Sequence, residues 1–99
     1  MENSITESSD KIIITVSGSD KVGIVAKVAT LLADCQVNIE DIKQTLMQGH
    51  FVMFMLCDIS KSNKTLKEFQ IKLKDECNKM GMEAWVQRKE IFDSMHNVG

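Results

Sequence analysis

Tyrosine and proline are absent from this 99-residue chain, arginine and tryptophan occur once each, and phenylalanine occurs four times. RNA-binding sheets of this size stack bases on exposed aromatic rings, and so small an aromatic supply argues against that use. Lysine is scattered without a basic run and the net charge is −2, so the chain has no basic footprint for nucleic acid or an anionic membrane surface. No apolar run approaches the ~20 residues of a membrane span, and the opening MENSITESSDK lacks the apolar core of a signal peptide. Three cysteines, Cys35, Cys57 and Cys77, are odd in number and far apart. That fits buried thiols in a reducing cytoplasm better than a disulfide framework. A cytoplasmic protein is expected, with no membrane and no nucleic acid among its partners.

What remains is an ordinary globular composition, 43% hydrophobic and 26% charged, sized for one two-layer core. Residues 1–10 read as a polar leader, residues 11–90 as the folded domain and residues 91–99 as a C-terminal tail. KIIITVS, residues 11–17, is rich in β-branched residues and predicts a strand. A helix is predicted over residues 21–35, with Val25, Val28, Ala29 and Leu32 at helical spacing. Residues 37–48 and 50–59 flank Gln48-Gly49 and predict a β-hairpin. Thr65 and Glu68 form a capping box for a second helix with the seam Leu66, Phe69, Leu73, Cys77 and Met80, and Gly81 is placed to end it. Residues 82–89 predict a last strand with Met82, Ala84 and Val86 on one face and Trp85 on the other. The tail adds one amphipathic turn through Ile91, Phe92 and Met95.

The order is β-α-β-β-α-β, an α+β ferredoxin-like sandwich with a four-stranded antiparallel sheet. Right-handed crossovers place both helices on the same face of it. Yet the third strand is apolar on both sides, with Val52, Phe54 and Leu56 alternating with Phe51, Met53, Met55 and Cys57. One sheet face is therefore bare and apolar, and such patches mark interfaces. The bare face is taken as Ile13 with Phe51, Met53 and Met55. A homodimer using that face or the neighbouring strand edge is expected.

No catalytic constellation emerges. Ser17 and Ser19 have no histidine near in sequence and no nucleophile elbow. His50 and His96 are the only histidines, and no Cys or His pair has metal-ligand spacing. The first loop, SGSDKVG, lacks the CxxC of a metal-carrying domain of this topology. It also lacks the anion-binding arginine of an acylphosphatase, since Arg88 lies in the last strand. No enzyme, no cofactor and no metal are expected. The methionines (47, 53, 55, 80 and 82) read as core or interface filler, and the lysines on the outer side of the second helix as a solvated face.

The loop before the first helix is different. A helix N-terminus offers free N–H groups and partial positive charge, a setting for a carboxylate. Asp20 is placed to cap it, but position 23, where a capping box needs an acid, is Gly23. Without a side chain there, a ligand can reach the backbone. The alternatives are that Gly23 serves helix–strand packing and that Asp20 is a plain N-cap. Asn38, alone, reads as a turn residue. It stands fifteen positions after Gly23, and a helix going out and a strand coming back do not obviously bring the two together in one chain; across a two-fold dimer they could meet.

Asp20-Lys21-Val22-Gly23-Ile24-Val25, then Val37-Asn38-Ile39, within this element order resembles an ACT domain. ACT domains are small-molecule-sensing modules attached to many enzymes of amino-acid metabolism. The resemblance covers about residues 11–89, and with the tail the chain is most similar to short stand-alone bacterial ACT proteins. It implies an amino acid held between the first loop of one subunit and the start of the second strand of its neighbour. Backbone contacts would then come from Val22, Gly23 and Ile24, and side-chain contacts from Asp20 and from Asn38 of the neighbour. Two positions depart from the pattern: Val22 replaces a common proline, and Gly18 stands where a serine-binding member has a histidine. The function implied is a non-enzymatic regulatory module at a homodimer interface. The alternative is a dimerisation scaffold with a vestigial site that recruits a protein partner.

Overall fold

The β-branched run near the start of the chain forms a central strand, paired on both sides. The computed structural model describes residues 10–19 and 22–96. The expectations for the leader, for Asp20 and for the last three residues lie outside them. Its elements are β1 (Lys11–Ser19), α1 (Ile24–Asp34), β2 (Asn38–Met47), β3 (His50–Asp58), α2 (Leu66–Lys79), β4 (Glu83–Arg88) and α3 (Lys89–His96). The four strands form one antiparallel sheet in the order β2-β3-β1-β4. This is the ferredoxin-like βαββαβ fold, with a short C-terminal helix added.

Local chemistry sets the element ends. Gln48 (φ 52°) and Gly49 (φ 81°) are both left-handed, the geometry of a primed two-residue turn, and Met47 pairs with His50 across it. At the start of α2, Glu68 N–H donates to Thr65 Oγ1 at 3.1 Å and Thr65 N–H to Glu68 Oε1 at 3.0 Å, completing the capping box. At its end, Gly81 N–H donates to the Asn78 carbonyl and Met82 N–H to the Cys77 carbonyl, a Schellman closure around left-handed Gly81. α1 closes in the same way, with Gln36 rather than glycine in the left-handed position.

Register decides the faces. Ile12 pairs with Cys57, Ile14 with Met55 and Val16 with Met53. All six are fully buried, beneath Val28 and Leu32 of α1 and Phe69 and Leu73 of α2. Burying one such side chain stabilises the fold by roughly 1.5–3 kcal/mol. Phe51, Met53 and Met55 are thus core residues, and their assignment to the bare face is overturned. The open face consists of Ile13, which pairs with Leu56, together with Val52, Phe54 and Trp85. Trp85 does lie opposite Ala84 and Val86, and it is exposed.

The open face is not entirely bare. α3 follows β4 without an intervening residue and folds back onto it, setting the Phe92 ring 6.1 Å from that of Phe54. Gln87 Nε2 donates to Met95 Sδ at 3.3 Å. The tail is therefore a two-turn helix that shields one end of the sheet, and Ile13 beneath it is only 8% exposed. On the opposite face, Ile42 and Leu46 of β2 stay exposed, so the two larger helices leave the outer part of this edge strand uncovered. Among the described residues no helix is long and apolar enough to cross a membrane.

Candidate functional site

β1 runs past the expected loop start to Ser19, and Gly23 stands just outside α1 as its N-cap. Its φ of 89° is left-handed. An ideal Cβ built on Gly23 meets nothing within 4 Å. The packing explanation for this glycine is therefore overturned. Backbone conformation requires it, because a non-glycine residue there is strained, and the space above it is open. The Gly23 carbonyl accepts from Lys27 N–H at 2.9 Å, the first bond of α1. Gly23 itself has no side chain to cap the helix, and the first turn of α1 holds no acid. Val22 is fully exposed beside the opening, whereas Ile24 turns inward and is buried.

Gly23 lines a cleft between α1 and α2 with Ala26, Lys27, Thr30, Glu76 and Lys79. Lys27 Nζ lies 3.1 Å from Glu76 Oε1, and Lys79 Nζ is 3.5 Å from Glu76 Oε2. Lys27, followed by Lys79, holds the Glu76 carboxyl below the usual glutamate range. Lys79 Nζ also lies 3.4 Å from Asp75 Oδ2, so the two ammonium groups here are matched by two carboxylates. Composition did not single out Lys27; its position four residues after Gly23 was the available signal.

Asn38 opens β2 at the far end of the sheet, opposite Asp58 in the register. It lines a separate cleft of about 550 Å³ with Gln36, Val37, Asp58, Ser60 and Lys61. Within one chain, then, the structure keeps Val22, Gly23 and Ile24 together at one end of α1 and places Asn38 at the other. Asp58 accepts from Ser60 N–H at 2.8 Å, and Lys11 Nζ lies 3.3 Å from its other oxygen while also bonding Glu40. Bonds from Ser60, then Lys11, hold the Asp58 carboxyl below the usual aspartate range.

Gly18 also has a physical reason. A Cβ there would stand 2.6 Å from Met82 Sδ and 3.3 Å from the Gly81 carbonyl oxygen, so a histidine does not fit without displacing Met82. Ser17 and His50, distant in sequence, are brought together, with Oγ 3.0 Å from Nε2. This pair lies on the exposed hairpin end of the open face, with no carboxylate bonded to the imidazole among the described residues. No group of three or more His, Cys, Asp or Glu side chains gathers in metal-binding geometry among those residues.

Residues 10–87 match the family model of the ACT domain. The chain belongs to the ACT domain family. Among relatives of this ACT domain, a UPF0237 protein of Methanosarcina acetivorans is 46% identical over 91 residues, covering 92% of this chain and 99% of the relative. A UPF0237 protein of Listeria innocua is 42% identical over 86 residues, covering 87% and 97%. A solved ACT domain protein from Streptococcus pneumoniae is similar in structure, with TM-score 0.73 and 31% identity over 84% of this chain and 93% of that one. ACT domains are typically small-ligand regulatory modules, and the match spans nearly the whole length of these relatives.

Proposed function

We propose that this ACT domain is a non-catalytic regulatory module that binds a small, amino-acid-like ligand across a homodimer interface. The observation that carries the reading is the start of α1, where left-handed Gly23 leaves the backbone open and the first turn holds no acid. A ligand carboxylate binds there against the N–H groups of the first turn. Asn38 of the second chain completes the site, which accounts for its distance from Gly23 within one chain. A ligand that bridges two chains favours one arrangement of the dimer, and its differential affinity for that arrangement is the signal.

The test is thermal unfolding against each of the twenty amino acids. A binder at 100 times its Kd adds about 2.7 kcal/mol. Calorimetry then compares wild type with Gly23→Asn, which tolerates the left-handed backbone but sets a side chain over the opening, and with Asn38→Ala, which should weaken binding by roughly 1–3 kcal/mol. Unchanged affinity in both variants would sink the proposal, as would a monomeric mass by light scattering at micromolar concentration.

One observation favours a second reading, a dimerisation scaffold with a vestigial site and a protein partner. Apolar side chains remain exposed on both faces of the sheet, Trp85 and Phe54 on one and Leu46 on the other. No stabilisation by any of the twenty amino acids, with a dimeric mass retained, is the result this reading expects.

A further inference from the structure

The open sheet face carries an apolar ridge and an apolar groove side by side. α3 forms the ridge. Its Phe92 is half-buried against Phe54, but Ile91 and Met95 are 51% and 65% exposed. Four residues apart, they share one flank of the helix. Beside α3 runs a groove of about 350 Å³ lined by Thr15, Phe54, Trp85, Gln87 and Phe92, in which Phe54 and Trp85 keep exposed ring surface. We infer that this face pairs with the same face of a second copy, the apolar flank of each α3 entering the groove of the other.

A two-fold pair needs a self-complementary surface, and a ridge beside a matching groove supplies one. Charge agrees. Lys74 lines the groove and Glu90 stands on α3 next to Ile91. Both are exposed, and neither has an ion-pair partner among the described residues. Asp93, by contrast, is held by Lys89 of its own helix. The two-fold axis brings each Glu90 to the partner's Lys74, so the ion pair forms twice. Size agrees as well. Four strands about 4.8 Å apart and some eight residues long present roughly 500 Å² in projection. With side-chain relief that is the order of the ~800 Å² per partner that a standard interface buries.

This contact does not rest on the ligand reading and uses a different surface. Gly23 opens between α1 and α2, on the other side of the sheet. Asn38 heads β2 at one edge of the sheet, whereas Trp85 lies in β4 at the other. Where both contacts form, the assembly is a tetramer with two kinds of interface.

The experiment measures association of the full chain by light scattering over a micromolar dilution series. Met95→Asp and Trp85→Thr, both at exposed positions, should weaken association at least tenfold and keep the amino-acid response. Ile71→Asp, at an equally exposed site on α2, should leave association unchanged. Lys74→Glu and Glu90→Lys should each weaken it at least threefold, and the two together should bring it back to within twofold of wild type. Association unmoved by Met95→Asp and Trp85→Thr would remove this contact and leave the proposed function standing. A charge-swapped double variant no better than the worse of its singles would also overturn the pairing. Loss of the amino-acid response in Met95→Asp would show that one contact serves both purposes, against the separation argued above.

Discussion

The ring of Phe92 is tilted 60° to that of Phe54 at 6.1 Å, so the C-terminal helix rests on the sheet face that α1 and α2 leave open. Fully buried phenylalanines lose roughly 3–5 kcal/mol on truncation to alanine. Phe92 is half-buried, so Phe92→Ala should cost about 1–2 kcal/mol in urea unfolding. It should also raise binding of an apolar fluorescent dye, because Ile13, Phe54 and Leu56 lose their cover. A variant with wild-type stability and no added dye binding would show that α3 does not shield the sheet.

Gly23 gives a prediction about backbone rather than contacts. The site is spacious but left-handed, so Gly23→Ala should destabilise by about 1–2 kcal/mol through conformational strain. Gly23→Asn should cost less, since asparagine tolerates this region. Equal losses for the two in urea unfolding would point to a cause other than φ.

The three thiols test the core. Cys35, Cys57 and Cys77 are buried and unpaired, and burial, the largest cause, pushes the Cys57 thiol up to about 12. Since the thiolate is the reactive form, a disulfide reagent at pH 8 should label the native protein slowly and all three thiols promptly in denaturant. Fast native labelling of two or more would contradict the packing.

Acid should act through Asp58. Its carboxyl is held below the ordinary aspartate pKa of about 3.9. Its stabilisation is therefore complete above that pH and lost as pH falls through the lower, folded-state value. Lys11 is shifted the other way, upward, chiefly by its bond to Glu40. Its contribution is present below the ordinary lysine pKa of about 10.4 and lost as pH rises through the folded-state value. Urea midpoints of Asp58→Asn should therefore fall less steeply than those of wild type as pH drops below the ordinary aspartate value of about 3.9. Identical slopes would remove Asp58 from the account.

Much of the fold was legible because its signals are local. The capping box at Thr65 and Glu68, the closing glycine at 81 and the Gln48-Gly49 turn depend on neighbours within a few residues. The faces of β3 were not legible. Apolar residues occupy both sides of that strand, so alternation cannot choose between them; only the pairing of Ile14 with Met55 does. The same limit hid the pairing of Ser17 with His50 and the seat of Phe92, since each joins segments far apart in the chain. At the candidate site Gly23 stood out through residue type alone. Lys27, Glu76 and Asp58 did not, because charged residues are common on any surface and acquire meaning only from what they face.

Gly18 and Met82 constrain how such a chain can change. The thioether occupies the space that any side chain at position 18 would need, so the two positions are not free to vary independently. A descendant that gained a histidine there would first have to shrink Met82, opening a void in the core before any new contact formed. Alternatively, it would take the clash and the void together. At the end of β1, then, Met82 leaves room for backbone but not for an imidazole.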